Sequence, residues 1–520
     1  MIDPIAESLE RHLGGLGGDG PTSSARVLDA DEAERFPEEG FAALAAWGYF
    51  DFLVPEAEGG KLRALDELIV LGRLVARRDL SLAIATGQSF LGALPVWIAG
   101  TPEQRALLSS KLRSGEAGCL ALTEEAHGGD LNACEVAAAR EGEGWIVDGT
   151  KWCINNATRG TTMSLLARTD PEGGPLAFSI FLVDKASASG GLAPLPRLRT
   201  HGIRGADISG MRFSRARLGA GALVGREGHG MNVVLRTLQI SRTLCAAFSL
   251  GAGDTALRLA MNFARARRLY GAPIWDIPVV RASLLEAYAD LLAAEQIARG
   301  CARAASLIPG QMSTLSAVAK IGVPELVARV ISRCATVLGA RHYLREGDAA
   351  LFQKLTRDHE VVPLFDGSTS VNLYVVSGQL ERLVYARADR AQNVELLRRL
   401  CDDADAPAWD PSGLRTSNRG EDDVVAALDG ELATERDRLA AEVRALAGAP
   451  QDSPARFAAA RRYVGLAGAA LCHHAGDAIA AGRLAGPASD PDELAASLLD
   501  QHDRGLLFSR HPIRLAEENA

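Results

Sequence analysis

Apolar residues recur at helical spacing through most of the chain, which predicts a largely helical protein. Before residue 119, the segments 41–47 (FAALAAW) and 65–75 (LDELIVLGRLV) each place their apolar side chains on one helix face. Thr101 followed by Pro102 has the pattern of a helix N-cap with proline in the first turn. We therefore assign residues 1–118 to an all-helical N-terminal domain.

The pattern changes to alternation between residues 119 and 225, where β-branched and aromatic residues become frequent. Gly144–Asn155 alternates around Asp148-Gly149, which predicts a β-hairpin with an Asp-Gly turn. Further strands are predicted at residues 164–168, 177–184 and 211–217. This region is predicted to be a central β-barrel or β-sandwich domain.

Long helical patterns return between residues 226 and 390. The first, residues 231–269, is expected to break near Gly251 and Gly253, because glycine is unfavourable inside a helix. Two more long patterns follow at residues 279–305 and 314–338. Long amphipathic helices joined by short links predict an antiparallel four-helix bundle.

Residues 391–520 are expected to form an additional helical domain. A Pro- and Asp-rich linker, residues 402–410, precedes alanine-rich helical patterns at 422–447 and 453–482, and a third helix is predicted from Asp490. The predicted fold class is therefore α+β, mostly α: an N-terminal helical domain, a central β domain, a C-terminal bundle and the helical extension.

Composition narrows the class of protein. The chain has 520 residues, too many for one compact core, and a net charge of −9, which argues against nucleic-acid binding. We find no apolar run approaching the roughly 20 residues of a membrane span, and the N-terminus lacks the pattern of a signal peptide. Eight scattered cysteines without a CxxC pair indicate neither a disulfide framework nor a metal site. These features predict a cytoplasmic protein without a bound metal or a membrane span.

One phosphate-binding motif matches by letters only. Residues 15–20 read GLGGDG, but a helical pattern precedes them and Pro21 follows where a helix should begin. A dinucleotide-binding loop needs a strand before the glycines and a helix after them. We interpret the segment as a turn.

The strongest candidate for chemistry is Asp366, which follows the apolar run 361–365 and precedes Gly367. A carboxylate in apolar surroundings is poorly solvated and therefore a stronger base. Glycine allows a sharp turn and the close approach of a ligand, and Ser368 and Ser370 offer hydroxyl groups nearby. The simpler interpretation is an ordinary Asp-Gly turn at a helix end.

Six segments, in order, resemble motifs of the acyl-CoA dehydrogenase family. They are CLALTEEAHGGD (119–130), WIVDGTKWCINN (145–156), LVGREGHGM (223–231), RRLYG (267–271), LGARHY (338–343), and Arg357-Asp358 together with DGS (366–368). The resemblance extends from about residue 25 to 390. Each motif alone is weak evidence, whereas six in the same order and register are specific.

The resemblance implies an FAD-dependent enzyme that desaturates an acyl thioester, with FAD held between the β domain and the bundle. In the family a carboxylate removes the α-proton and the β-hydride passes to flavin N5. The substrate would be an acyl-CoA or a carrier-protein-bound acyl group, and the electron acceptor an electron-transfer flavoprotein or oxygen. The family also implies a homo-oligomer. Because the extension stands where longer members carry extra helices, we expect a homodimer.

The resemblance also assigns roles to individual residues. Asp366 matches the catalytic base, and Gln239, Arg242 and Gly367 match substrate-binding positions. The positions that match cofactor contacts are Leu122, Thr123, Gly129, Cys153, Asn155, Ser368 and Ser370, together with Arg267, Tyr270 and Gly339, which would reach the FAD of a neighbouring subunit.

Several of these positions depart from the usual family residues. Gly129, Cys153 and Asn155 stand where serine, tryptophan and threonine are usual, and Asp366 replaces a longer glutamate. Ser241 occupies the place of an alternative glutamate, so no substitute base is apparent. Two alternatives therefore remain: a nitroalkane-oxidase-like flavoprotein, since that branch uses aspartate as its base, or a family member that binds acyl thioesters without catalysis.

Overall fold

The computed structural model describes residues 2–174, 176–385, 390–401, 406–476, 480, 483–484, 490–510 and 513–516. The chain divides into two compact units. We call Met1–Asp29, Ala64–Leu80 and Arg242–Ala520 the helical unit, and Ala30–Arg63 and Ser81–Ser241 the sheet unit.

The predicted mostly helical fold is confirmed. The α-helices are α1 (Asp3–Leu13), α2 (Ser24–Glu32), α3 (Glu38–Trp47), α4 (Leu65–Ala76), α5 (Leu80–Ala99), α6 (Pro102–Arg113), α7 (Gly230–Ala266), α8 (Pro278–Leu307), α9 (Met312–Leu338), α10 (Ala350–His359), α11 (Thr369–Ser377), α12 (Leu380–Leu383), α13 (Arg390–Cys401), α14 (Asp423–Ala426), α15 (Gly430–Ala445), α16 (Pro454–His474) and α17 (Pro491–Asp503). The capping prediction for α6 is also confirmed, because the Thr101 hydroxyl accepts the Gln104 N–H while the Gln104 side chain bonds back to the Thr101 N–H.

The sheet unit is built around one eight-stranded sheet. Its strands are β1 (Gly118–Ala121), β2 (Ala137–Glu141), β3 (Gly144–Asn155), β4 (Thr162–Arg168), β5 (Phe178–Asp184), β6 (Leu192–Leu195), β7 (Ile208–Leu218) and β8 (Leu223–Val224). The order along the sheet is β6-β7-β3-β2-β4-β5-β8, and β1 pairs in parallel with β4. Trp145 and Phe181 lie edge to face in its core, with ring centroids 4.9 Å apart.

The predicted hairpin at Gly144–Asn155 is wrong, because these residues form the single strand β3. Asp148-Gly149 is not a turn but lies at a register shift between β3 and β7. The Asp148 carboxylate accepts the N–H of Arg215 at 2.7 Å, and Gly149 has a φ of 124°. A bulge of this kind uses the same residue types as a tight turn, which explains the misreading.

The predicted break in α7 is also wrong. The helix runs unbroken for 37 residues. A Cβ atom on Gly251 would lie 2.5 Å from the backbone nitrogen of Arg77, and one on Gly253 would lie 2.9 Å from Leu291. The two glycines therefore allow neighbouring helices to approach closely rather than interrupting α7.

Helix α5 corrects the statement that no apolar run reaches the length of a membrane span. By length and composition Leu80–Ala99 could cross a membrane, with a mean hydropathy of 1.5. However, 89% of it is buried inside the protein. Core helices of soluble proteins pass the same test, and the burial of α5 is typical of a core helix; the absence of a membrane span stays a prediction.

A buried ionic cluster lies at the centre of the helical unit. We call it the Asp254 network; its members are Glu10, Arg73, Arg77, Arg78, Asp254, Arg258 and Glu295, all less than 5% exposed. Asp254 lies 3.3 Å from Arg77, 3.6 Å from Arg73 and 3.9 Å from Arg258. Burial tends to raise the pKa of Asp254, but these arginines hold it below the usual value.

The C-terminal residues 506–510 complete this network. Arg73 and Arg258 donate to the carbonyl oxygens of Phe508 and Leu506, at 2.7 and 2.6 Å. In return, Asp254 accepts the N–H of Phe508 at 2.9 Å. The buried charges thus receive backbone partners from the far end of the sequence.

The extension is helical, as predicted, but one predicted helix is two. Residues 422–447 form α14 and α15, separated near Gly430, which has a φ of 55°. Part of the predicted linker, residues 402–405, lies outside the described residues, as does the end of the pattern at residue 482. His473 and His474 contact Asp429 and the Val424 carbonyl, and the described residues contain no group suited to a metal ion.

Two further expectations are confirmed. All eight cysteines are free. Residues 15–20 form a turn without a preceding strand, and Arg78 donates to the Gly14 carbonyl beside it. The segment therefore lacks the strand–loop–helix context of a dinucleotide site.

Candidate active site

The sheet unit holds the residues from Leu122 to Asn155 that match flavin contacts. The Trp152 N–H donates to the Thr123 carbonyl at 3.0 Å. The Lys151 ammonium donates to the Leu122 carbonyl at 2.7 Å and to Glu124 Oε1 at 2.8 Å. These bonds bring the segment after β1 onto the end of β3.

The Lys151–Glu124 pair was not identified as functional from the sequence. Both side chains are buried, and Glu124 also accepts the N–H groups of Glu135 and Val136, at 2.7 and 3.0 Å. Burial opposes ionisation of Glu124, but these bonds and the charge of Lys151 hold its pKa below the usual value. The lysine of the GTK motif therefore anchors the loop. The sequence motif contains this lysine, but the ion pair with Glu124 could not be inferred because the two residues are distant in sequence.

The substituted positions of this segment differ in exposure. Asn155 is half-buried, and its Oδ1 atom is buried without a hydrogen-bond partner among the described residues. Cys153 is exposed at a register shift of β3, with a φ of 58°. Gly129 is exposed, with open space where a Cβ atom would stand.

Asp366 lies in the helical unit, in a strained turn between α10 and α11. It has a φ of 55° and Gly367 one of 94°, so two successive residues are left-handed. The Arg242 Nε atom donates to the Asp366 carbonyl at 2.7 Å, and Asn372 donates to the Gly367 carbonyl at 2.7 Å. Asp366 is half-buried, so it is better solvated than its apolar run predicts.

Two buried cations accompany Asp366. Arg242 extends from α7, and Lys320, from α9, donates to the Val362 carbonyl and lies 4.8 Å from the centroid of the Phe365 ring. Burial lowers the pKa of both cations, while the charge of Asp366 opposes this. Lys320 was not singled out in the sequence, because a lysine inside a helical pattern is normally exposed.

A thiol contacts the carboxylate directly. Cys245 is buried on α7, three residues after Arg242, and its Sγ atom lies 3.6 Å from Asp366 Oδ2. Burial and then the charge of Asp366 raise the pKa of Cys245 well above its usual value. Nothing in the sequence pairs residues 245 and 366, so this contact was also missed.

Three further residues that match family positions lie on α7 or at the start of α11. The Ser368 hydroxyl accepts the N–H of Val371 and caps α11, whereas Ser370 is exposed. Gln239 is buried on α7 in the sheet unit.

The three positions assigned to a neighbouring subunit's cofactor are exposed. Tyr270 is 98% exposed at the tip of the hairpin formed by β9 (Arg268–Leu269) and β10 (Ala272–Pro273), next to Arg267. Gly339 is exposed at the end of α9 with a φ of 57°. Their exposure leaves them available to a second chain.

Comparison with known families identifies the class. Residues 23–116, 119–216 and 228–380 match the N-terminal, middle and C-terminal domains of acyl-CoA dehydrogenase. The chain belongs to the acyl-CoA dehydrogenase family.

Individual relatives and structures agree with this assignment. A probable acyl-CoA dehydrogenase of Mycobacterium leprae is 26% identical over 357 residues, covering 68% of this chain and 90% of the relative. An acyl-CoA dehydrogenase from Bacillus anthracis, complexed with FAD, shares the fold with a TM-score of 0.72 at 18% identity, covering 96% of this chain and 86% of that one. The prolyl acyl carrier protein oxidase AnaB has a TM-score of 0.65 at 19% identity, covering 73% and 98%.

The family consists of FAD-dependent oxidoreductases that dehydrogenate acyl thioesters, so the protein is a flavoprotein enzyme with FAD as its cofactor. The residues of the sheet unit fit such a group. A buried amide oxygen without a partner is costly unless a ligand supplies a donor, and Asn155 carries one. The Thr123 hydroxyl and the Asn155 amide together offer donors and acceptors to polar ring atoms.

Proposed function

We propose that the protein desaturates an acyl thioester at the α–β bond, with Asp366 as the base that removes the α-proton. The observation that carries the proposal is the clamped turn: a half-buried carboxylate on left-handed backbone, held by the buried Arg242. Strained backbone of this kind persists where the surrounding structure enforces it, and it is concentrated at active sites.

The surrounding charges suit proton abstraction. An α-proton is weakly acidic, so the negative charge that develops on the thioester must be stabilised. Arg242 and Lys320 provide two buried positive charges beside Asp366, and charges act more strongly when water is excluded. Aspartate is one methylene shorter than glutamate, so the strained turn would serve to present it.

We infer that FAD is held by Leu122, Thr123, Gly129, Cys153 and Asn155. When bound, FAD supplies the hydride acceptance that no side chain can provide. The Lys151–Glu124 pair would keep the Leu122–Thr123 backbone fixed for the cofactor. We also assign Ser368 and Ser370 to the cofactor, and Gln239 and Gly367 to the substrate.

The assembly and the partners are proposed from the same pattern. Arg267, Tyr270 and Gly339 would reach the FAD of a second subunit, and the extension favours a homodimer; a light-scattering mass tests this. The acyl carrier is CoA or a carrier protein, and the electron acceptor an electron-transfer flavoprotein or oxygen. The four domain boundaries and the cytoplasmic location stay predictions.

A nitroalkane-oxidase-like reaction is the second candidate, favoured by one observation: the acid at this position is aspartate. Anaerobic mixing of the FAD-loaded protein with acyl thioesters distinguishes the two. We expect the flavin absorbance to bleach with an acyl thioester. Bleaching with a nitroalkane alone would support the second candidate, and bleaching with neither would indicate a family member that only binds thioesters.

The Asp366→Asn variant tests the base. It should bind FAD normally but lose reduction by at least about 100-fold, the usual contribution of a general base. A variant that reduces its flavin at the wild-type rate would refute the role of Asp366.

A further inference from the structure

The turn that carries Asp366 is held mainly through its backbone. Arg242 donates to the carbonyl oxygen of Asp366, and Asn372 to that of Gly367, both at 2.7 Å. The guanidinium nearest the proposed base is therefore hydrogen-bonded to the backbone of Asp366 rather than to its carboxylate. Positioning of the carboxylate itself needs another group.

That group is the thiol of Cys245. Its Sγ atom lies 3.6 Å from Oδ2, and it provides the one hydrogen bond that reaches this carboxylate within the described part of the chain. Cys245 is only 2% exposed and stands on α7, so the rigid helix that carries Arg242 also fixes the thiol. A thiol is a weak donor and a carboxylate a strong acceptor.

The thiol stays protonated in this environment. Burial and the charge of Asp366 raise its pKa well above the usual value, so Cys245 remains a donor through the neutral range. The other charged groups that act on Cys245 are Arg242 on α7 and Lys320 on α9, and His359 on α10 interacts with Lys320. The pKa of His359 is lowered to about 4 by burial, so its ring is neutral there, and its Nε2 atom pairs with Ser249 at 3.0 Å.

We propose that Cys245 is a positioning residue for the proposed reaction: its thiol holds Oδ2 of Asp366 and leaves Oδ1 to take the α-proton. In that step the substrate C–H bond breaks, its electron pair stays on the substrate as the enolate, and the proton forms an O–H bond on Oδ1. The inference rests on the proposed function of Asp366.

The weakness of the donor explains the choice of residue. A strong donor to a carboxylate stabilises its charged form and makes it a poorer base. A thiol fixes the orientation of the carboxylate with less loss of basicity. A short acid in a strained turn needs this help more than a longer acid, because its reach allows little adjustment.

The test compares two variants that differ by one hydroxyl group, Cys245→Ala and Cys245→Ser. Both remove the sulfur and leave similar space, but only serine keeps a donor. Cys334→Ala is the matched control, since Cys334 is equally buried on α9 and is not part of the site. FAD content and melting temperature are measured first, and then the anaerobic rate of flavin reduction by a saturating acyl thioester from pH 5 to pH 9.

We expect Cys245→Ala to reduce its flavin about five- to tenfold more slowly, the size of one ordinary hydrogen bond, because the thiol is a weak donor. Loss of a donor to the charged form favours the protonated acid, so the acid limb of its pH profile should move up by about 0.5–1 unit. Cys245→Ser should restore most of the rate, with an acid limb slightly below that of wild type because a hydroxyl is a stronger donor than a thiol, and Cys334→Ala should match wild type.

Coinciding profiles for Cys245→Ala and Cys245→Ser, or an alanine profile identical to wild type, would overturn the positioning role. Failure of the proposed function looks different, because wild type itself would then show no reduction with any acyl thioester. If the alanine variant lacks FAD, the serine variant still decides: an acid limb below that of wild type supports the role, and an unchanged or raised acid limb contradicts it.

Discussion

The Asp254 network and the turn at Asp366, both in the helical unit, differ in how their charged groups are paired. In the Asp254 network, arginines and carboxylates are paired with one another and with backbone groups of residues 506–510, all below 5% exposure. At Asp366, two cations are buried, but the side chain is half-buried and the backbone is left-handed. Among the described residues, the only hydrogen bond to its carboxylate comes from a thiol.

The difference separates stability from function. The first site pairs its buried charges with opposite charges and with backbone groups, as buried ionic groups must be paired if the fold is to tolerate them. The second site retains strain and an under-bonded acid, which reduce stability but leave a base available for reaction. We therefore expect substitutions in the network to weaken the fold, and substitutions at Asp366 to remove activity without weakening the fold.

The largest expected effect follows from Asp254→Ala. This change leaves Arg73, Arg77 and Arg258 without their shared carboxylate, and breaking a buried ion pair costs about 3–5 kcal/mol. The free energy of unfolding, measured by denaturant titration, should fall by about 4 kcal/mol. Glu227→Gln, in an exposed pair with Arg140, is the control and should lose less than about 1 kcal/mol. Equal losses would contradict the contrast.

Phe508→Ala should have the next largest effect. Its side chain is fully buried, stands edge-on to Tyr288 at 6.2 Å and lies under the Arg258 guanidinium at 4.4 Å. We expect a loss of about 3 kcal/mol in the free energy of unfolding, at the lower end for a buried phenylalanine. A loss below about 1 kcal/mol would show that the C-terminal residues are dispensable for the network.

Asp422 sharpens the comparison, because its described partners are the Tyr463 hydroxyl at 2.7 Å and the Val425 N–H rather than an arginine. Burial raises its pKa from 3.8 to about 6. The folded state therefore binds more protons than the unfolded state, so stability falls as pH rises from about 4 to above 6. Asp422→Asn removes this loss. The free energy of unfolding of the variant minus that of wild type should therefore be about 2 kcal/mol larger at pH 8 than at pH 4. If the difference in unfolding free energy between the variant and wild type does not change with pH, the pKa of Asp422 is not raised in the folded protein.

The smallest expected effect is a gain from Asp366→Gly. Glycine adopts a φ of 55° without steric cost, whereas other residues do not, although glycine also has a more flexible unfolded state. We expect a net change between zero and about +0.5 kcal/mol in stability, with loss of thioester-driven flavin reduction. A loss above about 1 kcal/mol would mean that the Asp366 side chain supports the fold.

The sequence was sufficient where local pattern decides the structure. The period of apolar residues predicts α4 (Leu65–Ala76) and α9 (Met312–Leu338) to within two residues. Prediction from the sequence failed where the same residue type occurs in two kinds of structure. Asp148-Gly149 lies at a bulge rather than a turn, and Gly251 and Gly253 allow close helix packing rather than breaking the helix.

The sequence identified several residues of the candidate site but not the contacts between them. Asp366 and Arg242 were found by motif order, and the structure joins them through one hydrogen bond. Cys245, Lys320 and the Lys151–Glu124 pair went unnoticed, since their partners are distant in sequence and a single chain gives no sign of such pairing. The link from Arg73 to Phe508, 435 residues away, is the extreme case.

The central claim, that Asp366 removes the α-proton, is tested most directly by isotope exchange. The FAD-loaded protein is incubated anaerobically with an acyl thioester in D₂O, and the α C–H signal is followed by NMR. We predict exchange of the α-proton by wild type and none above the protein-free rate by Asp366→Asn, although the variant still binds FAD and the thioester. Exchange by Asp366→Asn at the wild-type rate would contradict the claim.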